Sequence, residues 1–263
     1  MNFDIRKYPL LTKIYSNAKW KDTDGFPSNE IWAENIEKWL FFIYSKGEST
    51  RFEPRLIKQN TRQRDKTLAE INVAYFVEKE LGFSIVEWEP NGYNNNPGDF
   101  LLGGNSVSIY CEVKSPGWES EVVKAPWIDN SRLKKPKYIN GEYYVDGDPK
   151  PIRRSIDKDY NSFPPDKPTL LIINDDLPTP ILDQVEYNGN LDSIYKALYY
   201  KPLSFPYEDI NPQGCFVSNS YENLSGIMIF NVRLVYGKEK IEYRYKIFQN
   251  KYAINKLPES MLK

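Results

Sequence analysis

The spacing of apolar positions changes several times along the chain, and each change marks an element. In SNEIWAENIEKWLFFIYSKG, Ile31, Ile36, Trp39, Leu40 and Ile43 fall near one face of a helix. Ser28 or Asn29 can cap its start, and Gly47 can stop it. This predicts a helical N-terminal extension over residues 1–58. A second helix is expected from about Asp65 to Leu81, closed by Gly82, with Leu68, Ile71, Ala74, Tyr75 and Val77 available to face a sheet.

The period then switches to two. FSIVEWEP alternates and ends at Pro90, GDFLL lies between turns rich in Asn, Pro and Gly, and SVSIYCEVKS alternates until Pro116. From Trp118 to Pro151 the pattern is irregular, with a small hairpin expected around Asn140 and Gly141. A helix follows from about Arg153 to Phe163. TLLIIND is a continuous apolar strand of the kind covered on both faces. Asn190 to Tyr200 suits a helix, and GIMIFNVRLVYGKEKIEYRYKIFQN suits a C-terminal β-hairpin turning at Gly237. Helix, three strands, helix and strand together predict an α/β domain over residues 59–263.

Composition narrows the chemistry. No window approaches the roughly eighteen apolar residues of a membrane span. The start, MNFDIRKYPLLTKIY, has neither the apolar stretch nor the cleavage site of an export signal, so a cytoplasmic protein without membrane association is expected. Histidine is absent, which removes Ser-His-Asp and Cys-His catalysis and imidazole metal ligands. Cys111 and Cys215 are the only cysteines and cannot build a cysteine zinc site. Any metal must take oxygen ligands, which favours Mg²⁺, Mn²⁺ or Ca²⁺. A net charge of −1 gives no global attraction to nucleic acid, so a phosphate-binding surface has to be local.

Alternation in SVSIYCEVKS puts Ser108, Tyr110, Glu112 and Lys114 on one face. If the neighbouring run after Pro97-Gly98-Asp99 pairs with it as a hairpin, Asp99 comes beside Glu112. Two close carboxylates repel, and a divalent ion between them relieves the repulsion, polarises a phosphodiester and acidifies bound water. The Val113 carbonyl would complete the inner shell, with Lys114 steadying the water and the developing phosphorane charge. Glu70, on the preceding helix, is placed to hold a second ion or an outer-shell water. Plainer roles fit the same residues: a solvated strand face for Glu112 and Lys114, a turn for Asp99, and a helix surface for Glu70 or its rival Glu78.

Residues 65–174 resemble the PD-(D/E)xK nuclease superfamily, whose restriction-endonuclease-like core runs α-β-β-β-α-β around a mixed central sheet flanked by helices. The motif stands as Pro97-Gly98-Asp99, twelve intervening residues, then Glu112-Val113-Lys114. The family's first-helix glutamate maps onto Glu70, and its second helix and following strand onto RSIDKDYNSF and TLLIIND. Gly98 departs from the commonest pattern, in which the proline directly precedes the acid. Asp148-Pro149-Lys150 is a decoy, because its proline sits in a turn rather than a strand. The resemblance implies Mg²⁺- or Mn²⁺-dependent cleavage of nucleic acid, usually DNA, in restriction, phage defence or repair. The alternative is a nuclease-fold module that binds nucleic acid or protein without turnover.

Lys124, Arg132, Lys134, Lys135 and Lys137, interleaved with Trp118, Trp127 and Tyr138, suit phosphate contacts and base stacking, or else a solvated loop whose aromatics join the core. Arg153, Arg154 and Lys158 on the second core helix suit phosphate or simple solubility. The N-terminal helix, with Trp39, Leu40, Phe41 and Phe42, suits core packing, a homodimer or a partner protein.

Overall fold

The structure, a computed structural model, describes residues 3–20, 25–104, 107–115, 127, 150–175, 192–199, 213–235 and 238–262. The chain forms two compact units. The first comprises residues 1–82, 120–136 and 232–244; the second comprises 83–119, 137–231 and 245–263. Among the described residues no helix is long and apolar enough to cross a membrane.

The first unit holds α1 (Pro9–Asn17), α2 (Glu30–Ser45), α3 (Ser49–Leu56) and α4 (Thr61–Lys79). Asn29 opens α2 by accepting the Trp32 N–H at 3.0 Å, and Gly47 closes it in a left-handed conformation with φ +78°. Ile36, Trp39, Leu40 and Ile43 are buried, as their spacing predicts. Removing each such side chain from water contributes about 1.5–3 kcal/mol.

The second helix starts earlier than Asp65. Asn60 accepts the N–H groups of Arg62 and Gln63, so capping rather than apolar period sets the start. Tyr75 is only half-buried, whereas Leu68, Ile71, Ala74 and Val77 are buried. Most of α4 is enclosed, including Arg64, whose guanidinium lies 4.5 Å from the Trp20 ring and 4.1 Å from Phe26. This helix groups with the N-terminal helices, whereas the sequence reading assigned it to the domain beginning at residue 59.

The sheet is mixed and six-stranded, in the order β1 (Ser84–Trp88), β2 (Phe100–Gly104), β3 (Val107–Lys114), β4 (Thr169–Asn174), β5 (Gly226–Leu234) and β6 (Ile241–Gln249). β1 to β3 form an antiparallel meander, and β3, β4 and β5 run parallel. All of β4 is buried, as the run TLLIIN predicts. In the second unit, α5 (Lys150–Asp159) and α6 (Asp192–Tyr199) cover one face. Ile152, Ile156 and Leu198 pack there with Tyr110, Leu171 and Ile173. The helix expected to reach Phe163 ends at Asp159, and Tyr160–Ser162 continues as a 3-10 turn. Both cysteines are buried and free. The hairpin expected around Asn140 lies outside the described residues.

Candidate active site

β2 and β3 pair rung by rung from Gly104↔Val107 to Phe100↔Cys111. Asp99 stands in the bend just before β2: its N–H donates to the Cys111 carbonyl at 3.0 Å, and its charge acts on Glu112. Period two puts Tyr110, Glu112 and Lys114 on one face of β3, the one covered by α5 and α6. The sheet therefore brings together Asp99, Glu112 and Lys114, all within the second unit.

Asp99 is half-buried, and its Oδ2 accepts the Val113 N–H at 2.6 Å. That hydrogen bond clamps the start of β2 to the end of β3. Glu112 is only 8% exposed, and its Oε1 accepts from the Lys114 ammonium. Lys114 Nζ also lies 3.1 Å from Asp159 Oδ2, at the last residue of α5. Burial, then the Asp99 carboxylate, pushes the Glu112 pKa up to about 8 against the pull of Lys114. Burial disfavours the Lys114 charge, but Glu112 and Asp159 outweigh it, and the ammonium pKa is raised. Among the described residues Lys114 is the cation that acts on Glu112, and it does not offset burial and Asp99. Asp99, just before β2, and Glu112, on β3, offer hard oxygen donors of the kind that suit Mg²⁺ or Mn²⁺. Among the described residues no group of three or more Asp, Glu, Cys or His side chains converges on one ion position.

Tyr110 accounts for the glycine between Pro97 and Asp99. A Cβ on Gly98 would stand 2.5 Å from Cζ of the buried Tyr110 ring, closer than any real contact. Tyr110 Oη also donates to the Asn96 carbonyl at 3.4 Å, so the ring supports the turn that delivers Asp99. Burial, then Glu112, raises the Tyr110 phenol pKa.

Glu70 is buried on α4 in the first unit, and both its oxygens accept from the Arg55 guanidinium. Glu78 pairs with Lys46 at 2.8 Å and Lys79 at 3.2 Å. Arg153 is engaged inside the second unit: it donates to the Gln213 carbonyl and to Tyr221 Oη, and lies over the Tyr221 ring. Arg154 and Lys158 are exposed on α5. Lys124, Arg132, Lys134, Lys135 and Lys137, with Trp118 and Tyr138, lie outside the described residues.

Trp127 corrects the base-stacking expectation. It is 1% exposed, its ring meets Trp32 and Trp39 edge-on, and its Nε1 donates to Asp65 at 3.2 Å. Its flat faces are used in the core. Sequence reasoning placed Tyr110 on the face of Glu112 without giving it a role, and it missed Asp159 altogether. For Tyr110 the alternation of β3 was a usable signal. Asp159 had none, because its approach to Lys114 is made by the packing of α5 on the sheet.

No protein-family model matches the chain, and no curated protein matches it. Among solved structures, Pyrococcus furiosus SfsA in complex with Ca²⁺ aligns at a TM-score of 0.28 and 16% identity, covering 70% of this chain and 63% of that one. The chain thus spans less than two thirds of SfsA, and a likeness at this level tells nothing of function.

Proposed function

We propose that this chain is a divalent-metal-dependent nuclease that hydrolyses phosphodiester bonds of nucleic acid, DNA foremost, on a restriction-endonuclease-like core at residues 65–174. The observation that carries the reading is the closeness of Asp99, whose Oδ2 accepts the Val113 N–H and whose charge acts on Glu112, to Glu112 and Lys114 at the end of β3. The elevated Glu112 pKa supports it, since burial and a second carboxylate outweigh the pull of Lys114 there, and perturbed acids gather at functional sites.

In this reading Asp99, Glu112 and the Val113 carbonyl hold Mg²⁺ or Mn²⁺, and substrate and water supply the remaining ligands. The ion, when bound, polarises the phosphate and lowers the pKa of a water molecule. Lys114 orients that water by hydrogen bonding and offsets the negative charge that grows on the phosphate oxygens. Tyr110 holds the Asp99 turn in register. The reading does not draw on Glu70, whose carboxylate is held by Arg55.

The test is cleavage of plasmid, single-stranded DNA and RNA with Mg²⁺ or Mn²⁺, comparing the parent with Asp99→Ala and Lys114→Ala. Each variant is expected to lose about 100-fold or more in rate, typical of removing one transition-state contact. Equal cleavage by all three would discredit the site. A second reading, a nuclease-fold module that binds without turnover, draws support from the Glu112–Lys114 ion pair, which balances charge without a metal. Metal-independent binding of nucleic acid with no cleavage, undisturbed in Asp99→Ala, would favour it.

A further inference from the structure

The Lys114 ammonium stands between two acids. One is Glu112, two residues away on the same strand; the other is Asp159, which arrives from α5 with Oδ2 at 3.1 Å from Nζ. The position of Asp159 is costly. It occupies the last residue of a helix, where the macrodipole is negative, and its side chain is 15% exposed. Its buried Oδ2 accepts no well-oriented hydrogen bond, and among the described residues Lys114 is the cation that faces it. An acid that chain stability alone would disfavour is nonetheless held firmly. Ile152 and Ile156 anchor its helix in the core, and Ser162 Oγ donates to the Asp159 carbonyl at 2.6 Å.

Lys114 on Glu112 obstructs cation binding, because the same carboxylate oxygen cannot serve an ammonium and a metal equally well. We infer that Asp159 is a positioning residue that draws the Lys114 ammonium off Glu112, opening the Glu112 carboxylate to a divalent cation beside Asp99. The inference rests on the metal-dependent reading above. Asp159 acts through Lys114 and is not itself a ligand. With the ion in place, the ammonium stays beside the site, seated on the helix rather than on the strand.

This makes the effect of Asp159 conditional on Lys114, which a double-mutant cycle detects without any catalytic readout. Mn²⁺ binding to the full chain is measured by titration calorimetry for the parent, Asp159→Asn, Asp159→Glu, Lys114→Met and Asp159→Asn/Lys114→Met, with circular dichroism confirming that each is folded. Asp159→Asn is expected to weaken Mn²⁺ binding by about tenfold, the scale of coupling between residues in contact. Asp159→Glu should recover most of the loss, and Lys114→Met should bind no more weakly than the parent. In the Lys114→Met background, Asp159→Asn should cost no more than about twofold, the residue of lost long-range charge. A cost as large there as in the parent would overturn the inference, since Asp159 would then act by its own charge or by ligation. An unchanged affinity in Asp159→Asn would overturn it too. A parent that binds no Mn²⁺ would instead sink the metal-dependent reading, and this inference with it.

Discussion

At the scale of single residues, Glu112 links the site to stability. Its folded pKa of about 8 lies above the ordinary 4.5, so folding takes up a proton between those values. Stability therefore falls as pH rises through that window, by at most about 1.4 kcal/mol for each unit of displacement. Glu112→Gln carries no such proton. Urea unfolding at pH 5 and pH 8.5 is expected to find the variant gaining on the parent at the higher pH, and a constant gap between them would contradict the burial and Asp99 repulsion described for Glu112. The placement of Glu112 and Lys114 on one face was legible in the sequence, since alternation alone assigns it. Asp99 stood out only in combination with Glu112 and Lys114, because after a proline-glycine pair an acid by itself reads as a turn residue. Gly98 looked like a departure from the nuclease pattern, and its cause, the Tyr110 ring against its Cα, is a three-dimensional contact that no spacing encodes.

At the scale of elements, caps and packing divide the work. Asn60 satisfies two N–H groups at the start of α4, at 2.9 and 3.4 Å. Asn60→Ala is expected to cost about 1 kcal/mol, read as a lower urea midpoint at unchanged slope. The reading from Asp65 missed this start because TRQR carries no apolar period; the helix begins on capping and gains its burial a turn later. α3 was missed for a related reason. It is eight residues long and contains Pro54, so local preference argues against a helix there. Burial of Phe52 and Leu56 offsets that preference. The strands were easier, because SVSIYCEVKS alternates over ten residues and FLLGG is bracketed by turn residues.

Across the molecule, the six-stranded sheet grades from a buried centre to an exposed margin. β4 is buried throughout, while no residue of β1 is fully buried and, among the described residues, one edge of that strand has no neighbour in the sheet. Amide hydrogen exchange is expected to be slowest in β3 and β4 and faster in β1 by several orders of magnitude, since local opening spans nearly zero to the full unfolding free energy. Comparable protection in β1 would mean that its outer edge is covered. The α/β class and the succession of strands along the chain were legible from periodicity, but the parallel docking of β5 on β4 was not. The partition into units was not. Residues 232–244, the end of β5 and the start of β6, cluster with the N-terminal helices. There Trp39 Nε1 donates to Tyr243 Oη at 3.0 Å, a tie across a sequence gap that pattern reading has no means of detecting.

The rungs joining β2 to β3 work as a gauge for the two acids. Their separation is fixed by how many backbone pairs lie between the turn and the strand end, whatever side chains those pairs carry. Varying Leu101 or Ile109 among apolar residues leaves the gauge unread, whereas losing a single codon within β2 pulls Asp99 out of step with the Cys111 and Val113 groups that seat it, its carboxylate chemically intact. Anyone redesigning this segment has to count before choosing amino acids.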